Sequence, residues 1–147
     1  MSRLHIHISV DDLEQNIRFY SALFGVTPSV SKDDYAKWDL TEPAVNFAIS
    51  KRGARIGLDH VGIQAENAAE LAAVQARLQA AGISGVEQSG TACCYARSDK
   101  YWTRDPQGIA WEAFHTLDSI PTFKEQEPAA ASASGCCVPA IPGSSCC

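Results

Sequence analysis

The sequence predicts an α+β fold of two tandem βαβββ modules followed by a disordered C-terminal tail. Three observations carry this expectation. A strand-like alternation leading into a capped helix occurs twice, at 3–25 and again at 58–82. Each helix is followed by segments of strand character around a turn. After about Thr122 the composition shifts to Ala, Ser, Pro and Gly with few large apolar residues. The expected modules run over about 1–52 and 57–116, within a domain covering 1–122, with 123–147 as tail.

In the first module, Leu4, Ile6, Ile8 and Val10 alternate with His5, His7 and Ser9, the period of a strand covered on one side. Asp12 then opens a helix, with Gln15 three residues on, as in a capping box. Leu13, Ile17, Tyr20 and Phe24 recur at helical spacing, and Gly25 stands where a C-terminal stop is expected. Tyr35–Leu40 and Val45–Ser50 read as strands on either side of Thr41-Glu42-Pro43-Ala44.

The second module repeats this order. Leu58–Ile63 reads as a strand and Asn67 as a helix cap, with Glu70 three residues on. Leu71, Val74 and Leu78 form the apolar stripe, and Gly82 ends it. His5 precedes Asp12 by the interval at which His60 precedes Asn67, the mark of a duplicated unit. Lys100–Arg104 and Ile109–Phe114 flank Asp105-Pro106-Gln107-Gly108, with Pro and Gly where a tight turn wants them. Two such sheets facing each other would enclose a cleft.

The chain has 147 residues, enough to bury a proper core, and a formal net charge of −5. That charge, without a basic patch, argues against a nucleic-acid partner. The N-terminal residues lack the apolar stretch of a secretory signal, and no run approaches a membrane span. A cytoplasmic protein is expected, where thiols stay reduced.

All six cysteines fall in adjacent pairs: Cys93/Cys94, Cys136/Cys137 and Cys146/Cys147. Neighbouring Cα atoms are about 3.8 Å apart, below the usual span of a disulfide, so a bond within a pair would be strained. One such step alone is just two small hydrophobes. Three pairs without a single cysteine instead suggest two-thiolate clamps for a soft ion such as trivalent arsenic, cadmium or zinc. Arg97 and Lys100 lie near the first pair in sequence and would favour thiolate there, although each alone reads as a solvated surface charge. Trp38, Trp102 and Trp111 read as core or cleft wall.

If helices cover one face of each sheet, His5, His7, Ser9, His60, Gly62 and Gln64 line the cleft. So do Ala110, Glu112 and Phe114, while Trp111 and Ala113 face the helices. His5, His60 and Glu112 can then converge on one point. Two imidazoles and a carboxylate with open positions suit a non-haem Fe(II) centre. For one His alone, an isolated polar residue on a sheet face is an equal account; two in equivalent places of a duplication weaken it. His7 shares the face of His5, and periodicity alone does not choose between them.

Four stretches resemble the vicinal oxygen chelate superfamily of glyoxalase I, fosfomycin and bleomycin resistance proteins and extradiol dioxygenases. They are Leu4–Leu13, Arg18–Gly25, Leu58–Ile63 and Asp105–Glu112. The resemblance implies a half-open barrel around a metal-binding cleft, with ligands on the first strand of each module and the final strand. These positions are His5, His60 and Glu112, which settles His5 over His7. Thr91–Ala96 followed by Ser98–Thr103 resembles more closely the organoarsenical C–As lyases and their cadmium-induced relatives.

That resemblance covers Arg3 to about Phe114. It implies an Fe(II)-dependent, dioxygen-using enzyme that releases arsenite from trivalent organoarsenicals such as methylarsenite, with Cys93 and Cys94 holding the substrate. Glyoxalase-type sites generally take a fourth ligand from the last strand of the other module. Aligning Pro43 with Pro106 puts Phe47 there, or Asn46 after a slip of one. The expected partners are the organoarsenical and dioxygen, with a homodimer admitted. The tail pairs Cys136/Cys137 and Cys146/Cys147 would be accessory thiols on a flexible tether. Two other readings are a protein that only sequesters thiophilic metal, and a glyoxalase-like isomerase or resistance transferase.

Overall fold

A computed structural model describes residues 2–53, 55–121, 138 and 139. The alternation at the N-terminus forms β1 (Arg3–Ser9), and the periodic segment after it forms α1 (Leu13–Phe24). Asp12 caps α1 as expected, its carboxylate accepting from Gln15 N–H at 2.9 Å. The Gln15 side chain returns to the Asp12 carboxylate at 2.7 Å, so the reciprocal contact joins the two side chains. Such a cap is worth about 1 kcal/mol. Gly25 ends the helix at φ 72°, a left-handed conformation that costs glycine least.

The module continues through β2 (Val30–Lys32), β3 (Tyr35–Thr41) and β4 (Ala44–Ser50). The second comprises β5 (Gly57–Gln64), α2 (Ala68–Ala80), β6 (Val86–Cys93), β7 (Ala96–Arg104) and β8 (Ala110–Ser119). Asn67 caps α2 through Glu70 N–H at 3.0 Å. β7 begins four residues before the expected Lys100, and β8 runs five past Phe114. Pairing with a neighbour, not side-chain alternation, sets where these strands end.

The two modules do not form separate sheets. Their strands join in one eight-stranded sheet, ordered β2-β3-β4-β1-β5-β8-β7-β6 and curled into a half-barrel. β1 runs parallel to β4, and β5 parallel to β8, so each module repeats the same strand arrangement. The antiparallel β1–β5 ladder joins the halves, with His7 opposite His60 and His5 opposite Gly62.

The convex face carries the helices and the apolar side chains. Val10, Leu13, Trp38, Phe47 and Ile49 pack with Ile6, Ile8, Tyr20 and Phe24 of β1 and α1. Trp38 is 1 % exposed, and its indole N–H donates to the Val26 carbonyl at 3.1 Å. Leu71, Val74 and Leu78 of α2 pack on Ala65, Tyr101 and Ala113. With this face sealed, the alternate residues point into the concavity. There the structure buries His5, His7, Asn46, Ser50, His60, Lys100 and Glu112, a density of polar groups that folding alone does not favour.

No helix among the described residues is long and apolar enough to cross a membrane. The predicted tail lies outside the described residues except for Val138 and Pro139. Val138 packs against the cluster of Trp102 and Ala110.

Candidate metal centre and thiol pair

His5 and His60 reach the same point from opposite sides of the central ladder. Their Nε2 atoms lie 3.2 Å apart. Glu112 Oε2 is 3.7 Å from His5 Nε2 and 3.4 Å from His60 Nε2. With metal bonds of about 2.1 Å, donors at right angles on one ion are about 3.0 Å apart, and tetrahedral ones about 3.4 Å. The three atoms therefore form a triangle of the size that caps a single ion.

The far side of each imidazole is tied down. His60 Nδ1 meets Asp59 Oδ1 at 2.6 Å. His5 Nδ1 meets the Asn46 carbonyl at 3.1 Å and Asn46 Oδ1 at 3.3 Å. Asn46 in turn donates from Nδ2 to Gln64 Oε1 at 3.0 Å. An N–H directed at these oxygens leaves each Nε2 lone pair aimed at the centre, as in metal-binding histidines generally.

Close backbone approach helps assemble the third corner. Gly62 pairs with Glu112 across the β5–β8 ladder, and a Cβ on Gly62 would lie 2.0 Å from the Glu112 carbonyl oxygen. No other residue lets these strands approach so closely. Burial alone would raise the Glu112 carboxyl. The Lys100 ammonium, together with His60 and His5, overrides it and holds the group well below the usual carboxylate range. Burial lowers His5 to about 4, with His60 adding to the effect. Burial opposes charging of His60 too, but hydrogen bonds to Asp59 and Glu112 overcome it and raise that group.

Lys100 corrects its reading as a surface charge. It is 6 % exposed, and its Nζ lies 2.5 Å from Glu112 Oε1. Alternation of Ser98, Lys100 and Trp102 carried the missed signal, since Trp102 pairs with Glu112 and Lys100 with Phe114 on the concave face. Trp102 forms the wall expected of it, its ring 5.1 Å from that of His60. Asp59 and Ser50 were missed as site residues, and Asn46 was weighed only as a metal-ligand position. The first directly precedes His60, but only a register shift in the β1–β5 ladder lets a neighbour along the strand reach the same ring.

The register also corrects the alignment of the fourth-ligand position. Glu112 pairs with Gly62, two residues after His60. Two residues after His5 is His7, which pairs with Ala48. Ala48 is thus the counterpart of Glu112, and it offers no donor. Phe47 belongs to the convex core, and Asn46 binds His5 from behind.

Cys93 and Cys94 sit at the tight β6–β7 turn, where Cys93 pairs with Ala96. Cys94 and Tyr95 occupy the turn at φ 56° and 61°. Two successive non-glycine residues in the left-handed region cost about 1–3 kcal/mol each, strain of a kind that concentrates at functional sites. Tyr95 is held in place as its hydroxyl donates to Asp34. The two sulfurs are 3.2 Å apart, in contact without a bond between them. Cys93 is disulfide-bonded in this structure, against the expectation of reduced thiols throughout, so a two-thiolate clamp belongs to the reduced protein.

One cavity of about 220 Å³ joins the two groups, with Cys93, Cys94, His5, His60, Lys100 and Glu112 in its wall. The accessory thiols predicted at Cys136, Cys137, Cys146 and Cys147 lie outside the described residues.

Residues 3–113 match the family model described as "Glyoxalase/Bleomycin resistance protein/Dioxygenase superfamily". The chain belongs to this superfamily. Among its relatives is a protein of Bacillus sp. (strain MD1) named trivalent organoarsenical cleaving enzyme. It is 39 % identical over 100 % of this chain and 91 % of its own length. A protein of that name from Thermomonospora curvata is 35 % identical over 98 % and 93 %. Mycobacterium bovis cadmium-induced protein CadI is 34 % identical over 93 % of each chain.

Solved members of the superfamily share the fold. Homoprotocatechuate 2,3-dioxygenase from Brevibacterium fuscum superposes with a TM-score of 0.60 at 18 % identity, over 82 % of this chain and 38 % of its own. The Mn(II)-bound glyoxalase from Novosphingobium aromaticivorans does so at 0.57 and 17 %, over 88 % and 44 %. The matched region thus spans less than half of either solved protein.

Proposed function

We propose that this superfamily member is an Fe(II)-dependent, dioxygen-using C–As lyase that removes the organic group from trivalent organoarsenicals and releases arsenite. The observation that carries the reading is the meeting, in one cavity, of a donor triangle sized for one ion and a thiol pair suited to trivalent arsenic. The relatives named organoarsenical cleaving enzymes, which align along nearly the whole chain, support the same reading.

His5, His60 and Glu112 would hold the iron. Bound there, Fe(II) supplies the chemistry that activates dioxygen. Reduced Cys93 and Cys94 hold the arsenic, since a soft ion prefers thiolates to the nitrogen and oxygen donors of the triangle. Two anchoring points would fix the arsenic in the cavity that the metal site lines and make the encounter of the reactants effectively intramolecular. Lys100 keeps Glu112 ionised and occupies one of its oxygens. The convex core and Trp102 wall the centre off from bulk water on their side. A cytoplasmic setting, which keeps the thiols reduced, suits this role.

The test is anaerobic loading with Fe(II) in the presence of reductant, followed by oxygen uptake with and without methylarsenite. Uptake that depends on methylarsenite, with arsenite as product, is expected. Stoichiometric binding of arsenical or cadmium without oxygen uptake would instead establish sequestration, the reading that the cysteine pairs alone suggest.

A further inference from the structure

The duplication leaves one imidazole unexplained. His7 is 4 % exposed and lies in the wall of the cavity that holds the donor triangle. Its Nε2 is 2.9 Å from Ser50 Oγ, while its Nδ1 is buried with no hydrogen-bond partner. Buried ring nitrogens are almost always satisfied by a partner, a water or an ion. The donor atoms of His5, His7 and His60 all lie within 4.8 Å of one another.

The repeat shows which position of the first module lacks a donor. In the second module Gly62 and Glu112 form a pair across parallel strands, the glycine giving room and the carboxylate giving the donor. The equivalent pair in the first module is His7 and Ala48, so donor and small residue have exchanged strands. The methyl of Ala48 leaves the coordination position of the duplicated site without a group from β4, and the His7 imidazole is paired with it from β1.

We propose that His7 is a fourth protein donor of the metal centre, binding through Nδ1 in place of the ligand that Ala48 cannot provide; this rests on the metal-centre reading above. With Nε2–H donating to the Ser50 hydroxyl, the tautomer leaves the Nδ1 lone pair free to bind the ion, the arrangement usual for histidine ligands. Four protein donors remain compatible with dioxygen chemistry here. The thiol pair, and not the metal, carries the organoarsenical, so the metal needs fewer open positions than one that must chelate its substrate.

The experiment uses the full-length reduced protein with histidines labelled by ¹⁵N, titrated with Zn(II) as a diamagnetic probe. Large coordination shifts are expected at His5 Nε2, His60 Nε2 and His7 Nδ1 together, with the same stoichiometry. In parallel, Fe(II) affinity is measured anaerobically for the parent, His7→Ala, His7→Gln and Ser50→Ala. His7→Ala should weaken Fe(II) by about 100-fold or more, beyond the effect usual for losing an outer hydrogen-bond partner, whereas Ser50→Ala should cost at most about that outer-partner effect. His7→Gln should retain part of the affinity. Shifts at His5 and His60 with His7 Nδ1 unmoved would overturn this inference while leaving the metal centre intact. A parent protein that binds neither ion would overturn both. Because the titration uses the unaltered chain, failure of a variant to fold does not affect its outcome.

Discussion

Lys100 and Glu112 form a buried ion pair, Nζ to Oε1 2.5 Å, that leaves Oε2 turned toward the two imidazoles. The ammonium thus selects which carboxylate oxygen faces the centre. Glu112 titrates below the usual carboxylate range in the folded protein, so its contribution is present above the ordinary carboxylate pKa and is lost as pH falls toward its folded value. Lys100→Met strands a buried carboxylate and should cost about 3–5 kcal/mol at pH 7. The acid-unfolding midpoint should also move to higher pH. Urea denaturation at pH 7 and an acid titration check both; a variant as stable as the parent with the same acid midpoint contradicts the pairing.

His5→Ala, His60→Ala and Glu112→Ala should each remove stoichiometric Fe(II) binding, because each deletes one corner of the donor triangle. Asp59→Asn should keep all three corners but lose the charge behind His60. Its metal affinity should fall by about 10–100-fold. Iron analysis after anaerobic loading and gel filtration distinguishes the two classes. Stoichiometric iron in folded His60→Ala would remove His60 from the ligand set.

Cys93→Ser and Cys94→Ser should each abolish tight organoarsenical binding and spare Fe(II) binding. A hydroxyl is protonated and hard at neutral pH and does not replace a thiolate toward a soft ion. The turn that carries these sulfurs is separate from the strands that carry the triangle, so the two functions should divide cleanly. Paired titrations with Fe(II) and phenylarsenite on each variant test this. The parent should bind phenylarsenite only after reduction, because Cys93 is disulfide-bonded here. Loss of iron in either variant would make the thiols metal ligands.

Acid should destabilise the metal-free protein well before its exposed carboxylates titrate. Burial lowers His5 from 6.5 to about 4, so the unfolded chain takes up this proton first and stability is lost between those values as pH falls. Burial lowers His7 to about 3, which acts in the same direction. His60, whose pKa is raised, acts oppositely and offsets part of the loss. For His5 alone the effect is on the order of 3 kcal/mol. Urea midpoints of the metal-free protein at pH 7, 6, 5 and 4 should fall steadily; a midpoint that rises on acidification would show that His60 dominates.

The sequence by itself determined the two modules, both helix caps, the faces that β1, β5 and β8 turn to the helices, and the equivalence of His5 and His60 in the repeat. These follow from local causes: period-2 and period-3.6 patterns, side chains that cap their own helix, and a repeat that places equivalent residues equivalently. Only the tertiary structure decided the rest, because it depends on which strands lie side by side. The β1–β5 ladder makes one sheet of the two halves and brings Nε2 of His5 to that of His60. The parallel β1–β4 register makes Ala48, and not Phe47 or Asn46, the counterpart of Glu112. Lys100 reads as a surface charge in the chain and becomes a buried counterion once β7 pairs with β8. A one-residue change in register turns a side chain to the other face of a sheet, and register is set by pairing between residues far apart in the chain.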